Sequence, residues 1–481
     1  MSDQAYQVVV GLEIHVQLKT NSKIFSADPA SFGELPNENI GVVTLAHPGT
    51  LPKLNRKVIE FAVKMGLACH SDISQNLLFD RKNYFYPDLP KGYQLTQDRL
   101  PICRSGFISA RLQGNETRQV KLIKIHLEED AGKSMHNIGS FTAVDFNRAG
   151  MPLIEIVTQP DIYAEEEAVS VLSEVRRMIR FLGISDGDME KGSMRCDVNI
   201  SVRPAKSDVL GKKVEIKNMN SMRNVAHAIT HEKARQIKLL EAGAAIVSET
   251  RNFNADTGTT ASMRMKEELN DYRYFPEPDL SSAEITDEEL AGWKSEMPDL
   301  PQDLFDQFTT TYHLPAYNAE VLIEEPGLAA YAYNLFKATD FKKQASNWLM
   351  GPVKSWLNEH KTTIDQFPIT VDQWCEMLEL LQTKQLGHTS AAQKLFPFLL
   401  ENPRMGVLDA CNTLNLLLEQ NDSELQPVID EILAAHPDKV KAYQNGKKGL
   451  IGMFMGELVK KTKGRVDAQV ASKMLEESLK P

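Results

Sequence analysis

The feature that most constrains this chain is a strict two-residue alternation near its start. In QVVVGLEIHVQL, Val8, Val10, Leu12, Ile14, Val16 and Leu18 fall on one side, and Glu13, His15 and Gln17 on the other. Side chains alternate along a strand, so this segment reads as a strand with one buried face. The pattern recurs. In QVKLIKIHLEED, Ile123, Ile125 and Leu127 oppose Lys124, His126 and Glu128. In RCDVNISVRP, Val198, Ile200 and Val202 oppose Asp197, Asn199 and Ser201, and in KKVEIKN, Val214 and Ile216 oppose Glu215 and Lys217. These are half-buried strands of an antiparallel or mixed sheet. One helix is also legible: Ala168, Val171, Leu172, Val175, Met178, Ile179 and Leu182 repeat at three and four, with Gly183 placed as a C-terminal cap. Strands with interspersed helices predict an α+β first domain.

The polar strand faces carry carboxylates and histidines: Glu13 with His15, His126 with Glu128, and Glu155 between Ile154 and Ile156. A concave sheet bearing such groups suits Mg²⁺, which prefers oxygen ligands and keeps water and phosphates in its shell. Alternation alone leaves a solvated outer face with ordinary charges as the commoner reading.

Beyond about residue 290 the alternation gives way to helical periodicity. We therefore expect a sheet domain over residues 1–292, a helical domain over 293–405 and a helical tail over 406–481, as the 481-residue length allows. The middle part holds helical runs broken by Pro315, Pro326, Pro352, Pro368, Pro397 and Pro403. The tail predicts two amphipathic helices separated by a turn at Asn445-Gly446, the second ending at Gly464.

Several function classes are excluded. No stretch approaches the ~18 apolar residues of a membrane span, no basic-then-apolar leader is visible, and the five cysteines form no C-x-x-C pair. The cytoplasm is the expected setting. A net charge of −11 argues against a general nucleic-acid coat. RNA contact would need local patches such as Lys439, Lys441, Lys447, Lys448, Lys460, Lys461, Lys463 and Arg465 in the tail, although solvated helix faces explain that charge equally well. Ala131-Gly132-Lys133-Ser134 ends like a phosphate loop, but Leu127 stands where its first glycine belongs. There is no glutaminase-like cysteine context, so any ammonia must come from another chain.

Seven ordered blocks resemble the B-subunit family of the bacterial tRNA-dependent amidotransferases. They are Gly11-Leu-Glu-Ile-His-Val-Gln-Leu18, Phe79-Asp-Arg-Lys-Asn-Tyr-Phe-Tyr-Pro-Asp88, Ile125-His-Leu-Glu-Glu-Asp-Ala-Gly-Lys133, Asp145-Phe-Asn-Arg-Ala-Gly-Met-Pro-Leu-Ile-Glu155, Gly192-Ser-Met-Arg-Cys-Asp-Val-Asn199, Glu215-Ile-Lys-Asn-Met-Asn-Ser221 and Asp271-Tyr-Arg-Tyr-Phe-Pro-Glu-Pro-Asp279. The resemblance implies a glutamine-synthetase-like sheet cradle for Mg²⁺ and ATP, followed by an all-α domain and a small tRNA-docking tail. The implied reaction is ATP-dependent phosphorylation of the side-chain carboxylate of Glu-tRNA(Gln) or Asp-tRNA(Asn), then amidation with glutamine-derived ammonia. A non-catalytic tRNA-binding scaffold and a ligase acting on a free amino acid are the alternatives.

By the same resemblance, His15, Glu128 and Glu155 are candidate magnesium ligands. Glu13, Lys82, Arg195 and Asp197 are candidate catalytic groups, and Lys133, Lys217 and Arg273 candidate phosphate or nucleotide contacts. A structural salt bridge is the alternative for each. The implied partners are an amidase A subunit, a small C subunit and the mischarged tRNA. Many relatives carry two zinc-binding cysteine pairs near the N-terminus. Here Ser26, Asp28, Gly41 and Thr44 occupy those positions, so zinc is not expected and packing should hold the loop instead.

Overall fold

The alternating segments are strands, and most of them join one sheet. A computed structural model describes residues 5–112, 116–138, 140–265, 272–418, 422–462 and 468–480. The chain forms two units, Met1–Leu304 and Phe305–Pro481.

The strands of the first unit, in chain order, are β1 (Tyr6–Gln17), β2 (Asp72–Ile73), β3 (Asn76–Leu77), β4 (Asp80–Asn83), β5 (Tyr93–Thr96), β6 (Cys103–Arg104), β7 (Phe107–Arg111), β8 (Thr117–Glu129) and β9 (Lys133–Ile138). There follow β10 (Phe141–Asp145), β11 (Pro152–Thr158), β12 (Met194–Pro204), β13 (Val214–Met219), β14 (Glu249–Asn254), β15 (Thr259–Met265), β16 (Arg273–Pro276) and β17 (Ala283–Glu284). The main sheet runs β15-β14-β13-β12-β1-β11-β8-β6-β2, with β7 also on β8. It is antiparallel except where β13 meets β14. A small sheet, β16-β4-β5, stands apart from it.

One face of the main sheet is dry. Val10, Leu12, Ile14 and Val16 of β1 join Ile125, Leu127, Ile154, Ile156, Val198 and Ile200 in one cluster. Helices α1 (Arg56–Ala68), α2 (Glu165–Phe181) and α3 (Met222–Glu241) bury their apolar stripes in the same cluster. Each fully buried aliphatic side chain contributes roughly 1.5–3 kcal/mol there, so the register of β1 is strongly specified. Helix α2 ends as expected, with Leu182 as C-cap and Gly183 at φ +66°. Helix α4 (Asp287–Ser295) opens with a capping box between Thr286 and Glu289 and lies on α1, where Arg56 pairs with Glu289.

Two irregularities change the predicted alternation. Ile123 does not share a face with Ile125 and Leu127; it is 45% exposed, while Leu122 is buried. The pairing passes from Val157↔Lys124 to Thr158↔Leu122, so Ile123 is a bulged extra residue and the phase of β8 inverts there. On β13, pairing skips from Val198↔Ile216 to Cys196↔Met219, and Asn218 takes a left-handed φ of 71°. Asparagine tolerates that region better than most residues, which suits it to the bulge.

The loop carrying Ser26, Asp28, Gly41 and Thr44 is held by hydrogen bonds, where packing alone is the expectation from sequence. Asp28 accepts from the Gly41 N–H (2.9 Å) and from the Thr44 hydroxyl, and its own N–H donates to Ser26 Oγ (3.3 Å). A carboxylate therefore joins Ser26, Gly41 and Thr44. A Cβ on residue 41 would lie 2.2 Å from Asp28 Oδ1, so glycine there is required by the close approach. Asp28→Ala should cost about 1–3 kcal/mol, because two donors lose their partner. Urea unfolding measures this, and an unchanged midpoint would show that the hub is dispensable.

In the second unit, Lys342–Trp348, Leu349–Val353 and Lys354–His360 form consecutive helical segments. Pro352 lies inside the π-helical turn Leu349–Val353 and does not break the run. Proline lacks an N–H, and the wider turn relieves the clash that an α-helix would suffer. The tail has more helices than the two predicted: Asp422–Ala435, Pro437–Gln444, Ile451–Lys461 and Ala468–Ser478. Pro437 starts a new helix where the sequence suggested continuity, because proline fits the first helical turn but not the interior. The expected turn is present, with Gly446 at φ +104°. Leu425, Ile429, Ile432, Tyr443, Phe454, Leu458, Ala471, Leu475 and Leu479 form the tail core. Lys463, Gly464 and Arg465 lie outside the described residues, as does Asp271.

Candidate functional site

The other face of the main sheet is polar and hollowed. Across it, His126, Glu155, His15 and Arg195 stand in one row, paired His126↔Glu155, Glu155↔His15 and His15↔Arg195. In the next row Glu13 faces Asp197. Directly opposed residues of antiparallel strands have Cβ atoms about 4.5–5.5 Å apart, so each row is a line of touching polar groups. The β8 bulge is what brings Lys124, His126 and Glu128 onto this face. The small sheet provides the facing wall through Lys82, Gln94, Thr96 and Tyr274, with Tyr84 and Tyr272 beside them. The enclosed volume is about 600 Å³, which lies within the usual range for ligand sites.

Two groups of donors fit a cation. His15, Glu128 and Glu155 place one ligand atom each within 4.8 Å of one another, and so do Glu13, Asp197 and Glu215. His15 Nε2 lies 3.5 Å from Glu128 Oε1 and 3.6 Å from Glu155 Oε2. His126 stands behind them, its Nε2 3.3 Å from Glu155 Oε2 and 3.8 Å from Glu128 Oε2. Burial lowers the His126 pKa, but Glu128 and Glu155 outweigh it and the net shift is upward. Burial raises Glu155, yet His126, His15 and Lys82 hold it well below the usual carboxylate range. The site thus concentrates negative charge that persists at neutral pH.

Cations are spaced among these acids. Lys217 Nζ pairs with Asp197 and with Glu215 Oε1 (3.0 Å), and their pull overcomes burial to raise its pKa. Arg195 Nη2 donates to Asp130 Oδ2 (2.7 Å), which Arg148 also approaches at 3.5 Å. Lys82 Nζ sits 5.0 Å from the Tyr272 ring centre and 5.9 Å from that of Tyr84. Burial lowers its pKa, but Glu128, Tyr274 and Glu155 raise it more, so it stays charged. Asn199 Nδ2 donates to Glu13 Oε1 at 2.8 Å. Among the described residues, Arg195 Nε, His126 Nδ1 and Asn199 Oδ1 are buried without a hydrogen-bond partner. An orphaned guanidinium donor in a polar hollow suits an anionic ligand, since leaving it unpaired is costly. Oxygen-rich donor sets, an unspent cationic donor and room for a nucleotide together fit magnesium and ATP.

Glu13, His15, Lys82, Glu128, Glu155, Arg195, Asp197 and Lys217 all line this hollow. Lys133 and Arg273 do not; both are exposed, Lys133 two residues from the lining Ala131 and Arg273 between the lining Tyr272 and Tyr274. Lys133 opens strand β9 rather than a helix, so the Gly-Lys-Ser run has no phosphate-loop geometry. Sequence reasoning did not single out Glu215, Asp130 or the tyrosine wall. Glu215 had a signal, because alternation already placed it beside Lys217 on the polar face. The tyrosines had only their place in two of the family-like blocks, because their wall is built by pairing β4 with β16, far apart in sequence.

Residues 8–291 match the family model described as the GatB/GatE catalytic domain, and residues 331–479 match the GatB domain. The chain is similar over 99% of its length to the B subunit of the aspartyl/glutamyl-tRNA(Asn/Gln) amidotransferase of Thermosynechococcus vestitus, with 43% identity over 97% of that protein. It is 42% identical to the corresponding protein of Nostoc punctiforme, over 98% of both chains. With that of Trichlorobacter lovleyi it shares 43% identity, covering 98% of this chain and 99% of the relative. Matching along its whole length, with its hollow inside the matched catalytic domain, the chain belongs to the family of tRNA-dependent amidotransferase B subunits.

Proposed function

We propose that this chain uses ATP to phosphorylate the side-chain carboxylate of Glu-tRNA(Gln) or Asp-tRNA(Asn), so that ammonia can convert it to the amide. The observation that carries this reading is the convergence of two carboxylate-rich donor groups with Arg195, Lys82 and Lys217 in one hollow of a chain from this family.

The chemistry explains why such a hollow is needed. A carboxylate is a poor acceptor for ammonia, because oxide would have to leave. Transfer of the γ-phosphoryl group gives an acyl phosphate with a good leaving group. Two anions must meet for that transfer, so the site has to offset their repulsion. His15, Glu128 and Glu155 would hold magnesium, while Glu13, Asp197 and Glu215 form a second oxygen-donor group close by. The bound metal would supply charge neutralisation and orientation of the phosphates. Arg195, which lines the hollow, offers its positive charge to the transferring phosphoryl group. Lys82, kept charged by neighbouring acids and backed by tyrosine rings, stands opposite the metal-binding row and neutralises charge on the substrate side. Lys217 stays with Asp197 and Glu215 and fixes their orientation. The tyrosine wall limits water, which would hydrolyse the intermediate.

The ammonia comes from glutamine through an amidase A subunit, and a small C subunit completes the assembly. The helical tail docks tRNA, and the setting is the cytoplasm. Assembled with those partners, the chain should yield Gln-tRNA(Gln) or Asn-tRNA(Asn) from the mischarged tRNA only when ATP is present. Amide formation without ATP, or on free glutamate without tRNA, would overturn the proposal.

A further inference from the structure

The rim of the hollow carries aromatic side chains that the activation chemistry does not use. Phe85 is 92% exposed and Tyr86 57% exposed, although large aromatic rings normally bury most of their surface. Their position is fixed at both ends. Tyr84, just before them, lines the hollow, with its ring 5.7 Å from that of Tyr272. Asp88, just after them, accepts through its carbonyl from the Gly132 N–H at 2.8 Å, and the neighbouring Ala131 also lines the hollow. The Leu89 N–H donates to the Tyr86 carbonyl (3.0 Å), which closes the segment into a turn. Phe85 and Tyr86 therefore sit on a short arch spanning two parts of the wall.

The two cations that fall outside the hollow flank the same arch. Lys133 directly follows Gly132, which holds the arch at one end. Arg273 lies between Tyr272 and Tyr274, pairs with Asn83 across β4 and β16, and points away from the hollow that those two tyrosines line. Both cations are exposed. Exposed aromatic rings between exposed cations are what an unpaired nucleic-acid strand requires: rings to stack bases and charges to follow the backbone.

We propose that Phe85 and Tyr86, flanked by Lys133 and Arg273, form a stacking platform for the unpaired nucleotides at the aminoacylated end of the RNA. This rests on the function proposed above, which needs an amino acid esterified to a single-stranded terminus to reach Glu128 and Glu155. The terminus must cross the rim to do so. Stacking tolerates any base, so the platform would serve tRNAs of different identity equally.

The test uses the assembled amidotransferase and mischarged tRNA with 2-aminopurine in place of the terminal adenine, whose fluorescence falls on stacking. The double variant Phe85→Ala, Tyr86→Ala should lose the quench, and Phe85→Trp, Tyr86→Trp should keep it. The alanine variant should raise KM for mischarged tRNA roughly 10- to 100-fold with kcat changed less than about two-fold. Lys133→Gln and Arg273→Gln should each weaken binding and lessen the log–log salt slope by about 0.7. An unchanged quench and KM in the alanine variant would overturn the platform. So would dissociation of the assembly on gel filtration, which would give the aromatics to a subunit contact. The quench is read without ATP. A quench that depends on Phe85 and Tyr86 in a wild-type assembly unable to amidate would defeat the activation chemistry and leave the platform standing.

Discussion

Changing Glu128 to Gln should lower the amidation rate by about 100- to 1,000-fold while leaving binding of the mischarged tRNA within about two-fold of wild type. The substitution keeps the side chain's shape and removes one negative charge. Glu128 is buried, and its two oxygens stand 3.5 Å from His15 and 3.8 Å from His126. A neutral amide is a poor ligand for a hard cation, so the His15, Glu128 and Glu155 group would lose much of its affinity. The fold should survive, because the apolar face of β8 is untouched and Glu155 still faces both histidines. Raising the magnesium concentration should recover part of the loss. Rates measured on each mischarged tRNA, alongside filter binding, separate the two effects. An unaltered rate would return this chain to the role of a tRNA-binding scaffold.

The second large effect should come from Arg195→Gln, with kcat falling about 100-fold or more and KM for tRNA little changed. Arg195 spends one nitrogen on Asp130 and lines the hollow with its guanidinium charge. A preorganised cationic donor aimed where charge gathers acts mainly on the transition state, and removing one such donor typically costs 10²–10³. Asp130 retains the Ala131 N–H and the approach of Arg148, so local unfolding is not the expected cause. Arg195→Lys should rescue little, because a point charge cannot reproduce the planar fork. Full activity in Arg195→Lys would mean that charge alone matters. An effect confined to KM would place Arg195 in ground-state binding.

Much of this site was readable from the sequence, for a physical reason. A strand with one dry face must send every second residue to the other side, so Glu13 and His15, Asp197 and Lys217 declared their common side as soon as the apolar residues were marked. What failed depended on pairing. Nothing in the letters around Ile123 announces a surplus residue, because a bulge is defined by the partner strand. Arg273 is a cation inside a family motif, yet its neighbours Tyr272 and Tyr274 take the inward side and leave it outside. The tyrosine wall needed knowledge that residues near 82 lie beside residues near 274. In the tail, a single proline at 437 outweighed a long amphipathic run.

The bulges at Ile123 and Asn218 also bear on how this protein can change over evolutionary time. Between them, three strands agree on which way is inward, and that agreement is a matter of parity. Substitution at any one place alters one contact. Gain or loss of a single residue inside β1, β11 or β12 would exchange everything beyond it between oil and water, His15 and Glu155 included. Length variation among descendants should therefore gather in the connecting loops and at the two surplus positions, where an odd residue is already accommodated.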